Sequence, residues 1–293
     1  MRRREQRRFY LFILPWMVGF LAFQAGPMLL ALGVSFTDWL LVSTPEWQGL
    51  KHYRALVEDD IFWTALKNSL YYAGVTVPLG ILLAFCLALL LNRSWTGMGV
   101  FRTIFFMPAL VSGVALALVW GWLFNPRFGA VNALLRKLDV PAPNWLGDPS
   151  WAMPAIMLLS AFGIGGTMLI YLAGLQNIPR ELYDAARLDG AGWWAVTRHV
   201  TLPMISSVTF FLFVVGTIQA LQLFTPTFVL TGGGPSNSTL TLPLYIYQSA
   251  FDYQRYGYAS ALTVVLLLLT LILTLLQLLF ARRWVYYAGW GER

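Results

Sequence analysis

Apolar residues run along this chain in six long stretches separated by shorter polar ones, roughly residues 9–33, 68–91, 103–124, 151–175, 204–230 and 258–281. Each is long enough to cross the hydrocarbon core of a bilayer, which takes about 20 residues as an α-helix. No Asp, Glu, Lys or Arg falls inside any of them. The last is the plainest, because from Ala261 to Ala281 only threonines and Gln277 interrupt it. The pattern predicts an all-α integral membrane protein with six transmembrane helices, residues 1–293 forming a single transmembrane domain. Pro78, Pro108 and Pro154 lie inside runs and are expected to bend their helices. Gly163, Gly165 and Gly166 are expected to let the fourth helix pack closely.

The polar stretch between the fourth and fifth runs has a pattern of its own. It reads QNIPRELYDAARLDGAGWWAVTRHVTLP over residues 176–203. Pro179 at the first helical position, Glu181 in the first turn and Ala185 with Ala186 in the interior favour a short helix. Gly190 is a natural stop for it. A second amphipathic piece follows, with Trp193, Trp194, Val196 and Val200 as its apolar surface, and Pro203 marks the break into the fifth run. The expectation is a helix, a tight turn and a helix outside the membrane runs.

Two other loops carry readable signals. From Ser35 to Lys67, Trp39, Trp47, Tyr53, Phe62 and Trp63 mix with Glu58, Asp59 and Asp60, as in an interfacial loop with short helical parts. Residues 125–150 hold Pro126, Gly129, Pro141, Pro143, Gly147 and Pro149, which predict short turns with one helical piece around 130–138.

Charge orients the chain. An even number of spans places both termini on one side, and basic residues favour the cytoplasm. Arg2, Arg3, Arg4, Arg7, Arg8, Arg93, Arg102, Arg180, Arg187, Arg198, Arg282, Arg283 and Arg293 fall in the termini, the 92–102 loop and the central loop, which are therefore expected to be cytoplasmic. The other three loops share Lys51, Arg54, Lys67, Arg127, Arg136, Lys137 and Arg255. The net charge of +7 reflects this asymmetry and attraction to anionic headgroups, with no folded basic domain to bind nucleic acid. The RRREQRR start with its long apolar run reads as an uncleaved first span.

Composition agrees: the chain is 11% charged and 58% hydrophobic, against about a quarter charged for a soluble domain. Cys86 is the single cysteine, so no disulfide or cysteine metal site can be built within the chain. No nucleophile or acid–base constellation stands out, and the carboxylates are confined to loops and tails, so the chain does not read as an enzyme. Membrane-buried charge would mark ion coupling, and there is none. Neutral polar residues are present instead: Asn68, Tyr71, Tyr72 and Thr76 in the second run, Ser160 and Thr167 in the fourth, and Gln219, Gln222 and Thr225 in the fifth. At three-residue steps the last three share one helical face. Tyr71, Gln219, Gln222 and Thr225 are the candidate substrate path, since hydroxyl and amide groups exchange hydrogen bonds with sugar hydroxyls. Hydrogen bonding between helices, worth about 0.6 kcal/mol on average, is the alternative role for each.

The 176–203 segment resembles the "EAA" loop of permease subunits of ATP-binding-cassette importers. That loop has Glu-Ala-Ala, three residues, Gly, nine residues, then Ile-x-Leu-Pro. Here Asp184-Ala185-Ala186, Gly190 and Val200-Thr201-Leu202-Pro203 keep the spacing. Asp184 stands where Glu is usual, and Thr197 where the sugar-permease branch usually has Phe. The pieces SFTDW (35–39), GLKHY (49–53), FWTALKNS (62–69), LLLNRSWTGMGVFRTIFFMP (89–108), WGWLFNPRFGAVNALL (120–135) and LAGLQNIP (172–179) are similar to the sugar and glycerol 3-phosphate branch. So is LTGGGPSNST (230–239), a Gly-Gly-Pro stretch whose glycines serve either a plain turn or close approach to a ligand.

The resemblance implies a type I importer permease fold in a bacterial or archaeal inner membrane. It implies a second permease, as a heterodimer, two cytoplasmic ATPase subunits using ATP and Mg, and an extracytoplasmic binding protein delivering a carbohydrate. Glycerol 3-phosphate or another small polar solute is the alternative cargo, and an ion-coupled carrier a more distant one. The chain itself would bind no cofactor or metal. Glu181, Asp184, Ala185, Ala186, Asp189, Gly190 and Pro203 would couple it to the ATPase.

Overall fold

A computed structural model describes residues 2–39, 44–93, 95–281 and 283–286. Arg282 and Arg293, two of the cations used to orient the chain, lie outside the described residues. The chain opens with α1 (Arg2–Phe20), a single wide π turn (Leu21–Ala25) and α2 (Gly26–Val34). From Phe9 to Val34 no residue is buried. A helix that is apolar all round and uncovered suits a lipid solvent. A short hairpin follows, β1 (Thr37–Asp38) pairing antiparallel with β2 (Glu46–Trp47), then α3 (Lys51–Glu58). The sequence predicted the helix but not the strands, which are only two residues each.

The second run becomes α4 (Asp60–Leu91), which continues unbroken through Pro78. The third is broken: α5 (Met98–Phe106), a tight 3₁₀ turn at Met107–Leu110, then α6 (Gly113–Leu123), whose direction differs by 98°. Pro108 sits in that turn and supplies a reason for it, having no N–H to give. Next come α7 (Ala130–Lys137), inside the expected 130–138 piece, α8 (Pro149–Phe162) and α9 (Gly165–Gln176). The last two meet at 44°. Their break falls at Gly163 and Ile164 rather than at Pro154, which α8 accommodates in its interior.

The central loop forms α10 (Arg180–Leu188), α11 (Trp193–Val196), a π turn (Thr197–Thr201) and α12 (Leu202–Met204). The fifth run is α13 (Ser206–Leu221) and α14 (Thr225–Leu230), followed by α15 (Leu242–Tyr247), a further π turn (Gln248–Asp252) and α16 (Tyr256–Ala281). Among the described residues four helices are long and apolar enough to cross a membrane, or six if each bent pair is one span.

The chain falls into two compact units. One holds the residues up to Phe62 together with Tyr245–Leu268, and the other holds Trp63–Leu244 together with the chain from Leu269. In the first, Phe36 stacks on Trp47 and packs against Tyr53, with ring centroids 5.5 Å apart in both cases. His52 Nε2 lies 3.0 Å from the Thr37 carbonyl. The start of α16 presses on the same carbonyl: a Cβ on Gly257 would lie 2.1 Å from it. Asp59, between α3 and α4, accepts hydrogen bonds from the Tyr245 and Tyr258 hydroxyls and from the Ile61 amide.

Two apolar centres among the described residues lie in the second unit. Ala84, Ala88, Met168, Tyr171, Leu175, Ile205 and Leu212 join α4, α9 and α13. Phe124, Trp145 and Ala155 hold the 125–150 loop, with the Trp145 Nε1–H donating to Asn132 Oδ1 at 2.7 Å.

Candidate functional site

The site is built within the second unit from the central loop and from a cavity among α4, α8, α9 and α13. Pro179 precedes α10 as its cap rather than opening it, a one-residue difference, and Glu181 lies in the first turn as expected. The end of α10 satisfies its own carbonyls. The Gly190 N–H donates to Arg187 O at 3.0 Å and the Ala191 N–H to Ala186 O at 2.9 Å, while Gly190 takes φ +76°. This is the Schellman arrangement, and it needs a residue that accepts positive φ. Nothing lies within 4 Å of where a Gly190 Cβ would be, so the backbone alone demands glycine.

The expected break at Pro203 does not occur. After Ala191 and Gly192 the chain turns into α11 and continues helically through the π turn and α12, with Ile205 joining them to α13. A proline ring in a regular helix collides with the carbonyl four residues back, here that of His199. The π turn at Thr197–Thr201 widens the backbone over that carbonyl and lets the helix run on. The Tyr183 hydroxyl lies 3.4 Å from Thr201 Oγ1, joining α10 to the π turn within the loop, and just past the loop Ser206 Oγ accepts from the Tyr286 amide at 2.8 Å.

Glu181, Asp184, Ala185, Asp189 and Gly190 are exposed, and Ala186 is half-buried. Asp184 pairs with Arg187 at 3.7 Å, but both side chains are open to solvent, so the pair adds little stability. The larger feature is apolar. Leu188 is 89% exposed, Trp194 73% and Trp193 65%, and Leu182, also on α10, 40%. The sequence predicts the two tryptophans as apolar surface but not Leu182 and Leu188, which stand six residues apart, about 120° around a helix, and so form no stripe.

The cavity holds about 210 Å³. Its polar lining is Tyr72, Thr76, Ser160, Thr167 and Gln219, and Gly80, Gly163 and Gly216 keep part of its wall close to backbone. No charged residue lines it. Ser160 Oγ donates to Ile156 O at 3.0 Å, so the Tyr72 hydroxyl, 2.5 Å away, donates to Ser160. Thr76 Oγ1 donates to Tyr72 O. Among the described residues Thr167 and Gln219 have no hydrogen-bond partner for their side chains, which leaves an amide and a hydroxyl at the wall for a solute.

Of the four path candidates, Gln219 lines this cavity and the other three do not. Tyr71 is 53% exposed, and its neighbour Tyr72 takes the inward position, one residue being about 100° around a helix. Gln222 caps the end of α13, and Thr225 starts α14 with its methyl group facing Gly113. The shared face predicted for Gln219, Gln222 and Thr225 is therefore cut by the helix break between them. The 230–239 segment is a pinned turn. Thr239 Oγ1 donates to Gly234 O, Asn68 Nδ2 donates to the Asn237 and Leu240 carbonyls, and Gly232 and Gly233 take positive φ.

Comparison with known proteins places this geometry. Residues 76–286 match a family described as the binding-protein-dependent transport system inner membrane component. The probable ABC transporter permease protein YesP of Bacillus subtilis is 36% identical over 97% of this chain and 94% of its own. The lactose transport system permease protein LacF of Rhizobium radiobacter is 34% identical over 96% of this chain and 97% of its own. Among solved structures, a chain of a bacterial ABC transporter involved in import of the acidic polysaccharide alginate superimposes with a TM-score of 0.84 at 26% identity, covering 96% of both chains.

Proposed function

The chain belongs to the family of binding-protein-dependent transport system inner membrane components, and on that basis we propose that it forms, with a second permease, the path for a carbohydrate. Its fold is that of a type I importer permease, and as a permease subunit it is a transport component and not an enzyme. An extracytoplasmic binding protein hands the carbohydrate over. Two ATPase subunits, using ATP and Mg, sit on the cytoplasmic side against the 176–203 loop, the same side as both termini. The membrane is the inner membrane of a bacterial or archaeal cell.

One observation carries this reading. The exposed loop and the cavity wall are parts of nearly one helix: α11, the π turn and α12 lead into α13, which presents Leu212, Gly216 and Gln219 to the cavity. A displacement of the loop by an ATPase therefore reaches the wall of the path as a rigid-body movement. ATP binding shifts the equilibrium between inward- and outward-open forms only through contacts that differ between them. Leu182, Leu188, Trp193 and Trp194, with Asp184 and Ala185 among them, offer such contacts. The uncharged lining favours a neutral carbohydrate over glycerol 3-phosphate, since no cation is there to meet a phosphate.

Uptake by proteoliposomes tests the cavity. Gln219→Ala removes one hydrogen bond to a sugar hydroxyl, about 0.5–1.5 kcal/mol, and should weaken carbohydrate uptake roughly two- to tenfold. ATP hydrolysis without substrate should not change. Uptake equal to wild type would remove Gln219 from the path.

A further inference from the structure

A second cavity in the same unit has the opposite chemistry. It holds about 830 Å³ beside α10 and is lined by Arg93, Arg102, Arg180 and Arg187, with Asp184 as its one carboxylate. Asp184 is shared with Arg187 in the exposed pair already described, so three guanidinium charges around this volume lack a counter-charge. Like charges brought together in a concavity raise its potential and draw in anions.

The half-buried Arg102 is held in place. Its Nε and Nη2 both donate to the Leu91 carbonyl, at 3.3 and 2.8 Å, closing the C-terminal end of α4. Three of its five N–H bonds remain unspent. The Arg93 guanidinium carbon sits 5.4 Å from the centre of the Trp95 ring, which is itself 67% exposed. α5, the helix that carries Arg102, exposes Val100, Phe101, Ile104 and Phe105. A basic hollow, an exposed tryptophan and an uncovered apolar helix face thus draw on one short stretch of chain, residues 92–106.

We propose that this cavity binds the phosphate of an anionic phospholipid, whose acyl chains lie along the exposed face of α5. Guanidinium forks suit phosphate oxygens, and tryptophan suits the headgroup level. Inorganic phosphate offers the same oxyanion but gains nothing from the apolar face, and that combination selects the lipid. The inference rests on the chain being a membrane permease, and not on the solute it carries or on which side the loop faces.

Native mass spectrometry of the purified complex in detergent tests it, with phosphatidylglycerol, phosphatidylcholine and inorganic phosphate as probes. The wild type should retain phosphatidylglycerol in preference to phosphatidylcholine, a comparison that needs no variant. Arg93→Gln with Arg180→Gln should weaken phosphatidylglycerol by roughly tenfold or more and leave phosphatidylcholine unchanged. Arg102→Lys keeps the charge but loses the fork and should weaken it less. Displacement of the lipid by millimolar phosphate would overturn the lipid as source and leave a phosphate site. Equal retention of both lipids, or undiminished phosphatidylglycerol binding in the double variant, would overturn the proposal. So would a double variant that binds lipid normally but loses its ATPase subunits, since the cavity would then receive protein carboxylates. Because lipid retention is read without transport, failure here leaves the carbohydrate reading standing.

Discussion

At Asp59 two phenols and two backbone amides converge on one carboxylate. Burial raises its pKa, but the hydrogen bonds from Tyr245, Tyr258, Ile61 and Phe62 outweigh burial and hold it below the ordinary 3.8. Burial first, then the bond to Asp59, pushes the Tyr245 phenol up to about 12. A carboxyl whose folded pKa is depressed stabilises fully above its unfolded value, and loses that contribution as pH falls through the folded one. Thermal unfolding should therefore find the wild type above Asp59→Asn at neutral pH, with the difference shrinking as pH drops below about 3.8. A difference independent of pH would show that the carboxylate's charge plays no part. Gly165 is a second sensitive point: a Cβ there would lie 2.2 Å from the Phe105 carbonyl, where α9 meets the end of α5. Gly165→Ala should cost about 1–3 kcal/mol, read as a lowered midpoint of thermal unfolding. The sequence marked Gly165 as a packing position, but it could not separate Tyr71 from Tyr72. Both are aromatic hydroxyls within an apolar run, and only contact with Ser160 tells which faces inward.

At the scale of the element, the α10 to α13 segment joins a surface to a cavity. Gly190→Val places a β-branched residue at φ +76°, a conformation worth about 1–2 kcal/mol against it, with no clash to add. The expected outcome is insertion at wild-type levels, continued ATP hydrolysis and a fall in solute transported per ATP. Coupling unchanged from wild type would count against the loop as a lever. Leu188→Ser should reduce the ATPase subunits recovered on purification, since it removes the most exposed apolar side chain of the loop. Much of this element was legible, because its capping chemistry is local: Ala185, Ala186 and Gly190 specify where α10 lies and how it stops. The continuous helix through Pro203 was not, because a π turn has no composition signal and proline alone reads as a stop.

Across the whole molecule, the six apolar runs were legible because crossing a bilayer demands length and the absence of charge, both of which a sequence displays. The breaks within the third and fourth runs were less so. Pro108 marked the place of the bend in the third run but not its size of 98°, and helices apolar all round show no preferred face, so the fall of the fourth break at Gly163 rather than Pro154 does not follow from pattern. The cavity was half legible: its residue types were visible, while its register depended on helix packing. The most direct test of the account is ATPase activity of the chain reconstituted with its co-purifying subunits and binding protein, screened against neutral sugars, acidic sugars and glycerol 3-phosphate. One carbohydrate is expected to stimulate hydrolysis and to be accumulated. Stimulation by glycerol 3-phosphate alone would contradict the carbohydrate path, and gentle extraction that yields no ATPase subunit would contradict the coupling role of the 176–203 loop.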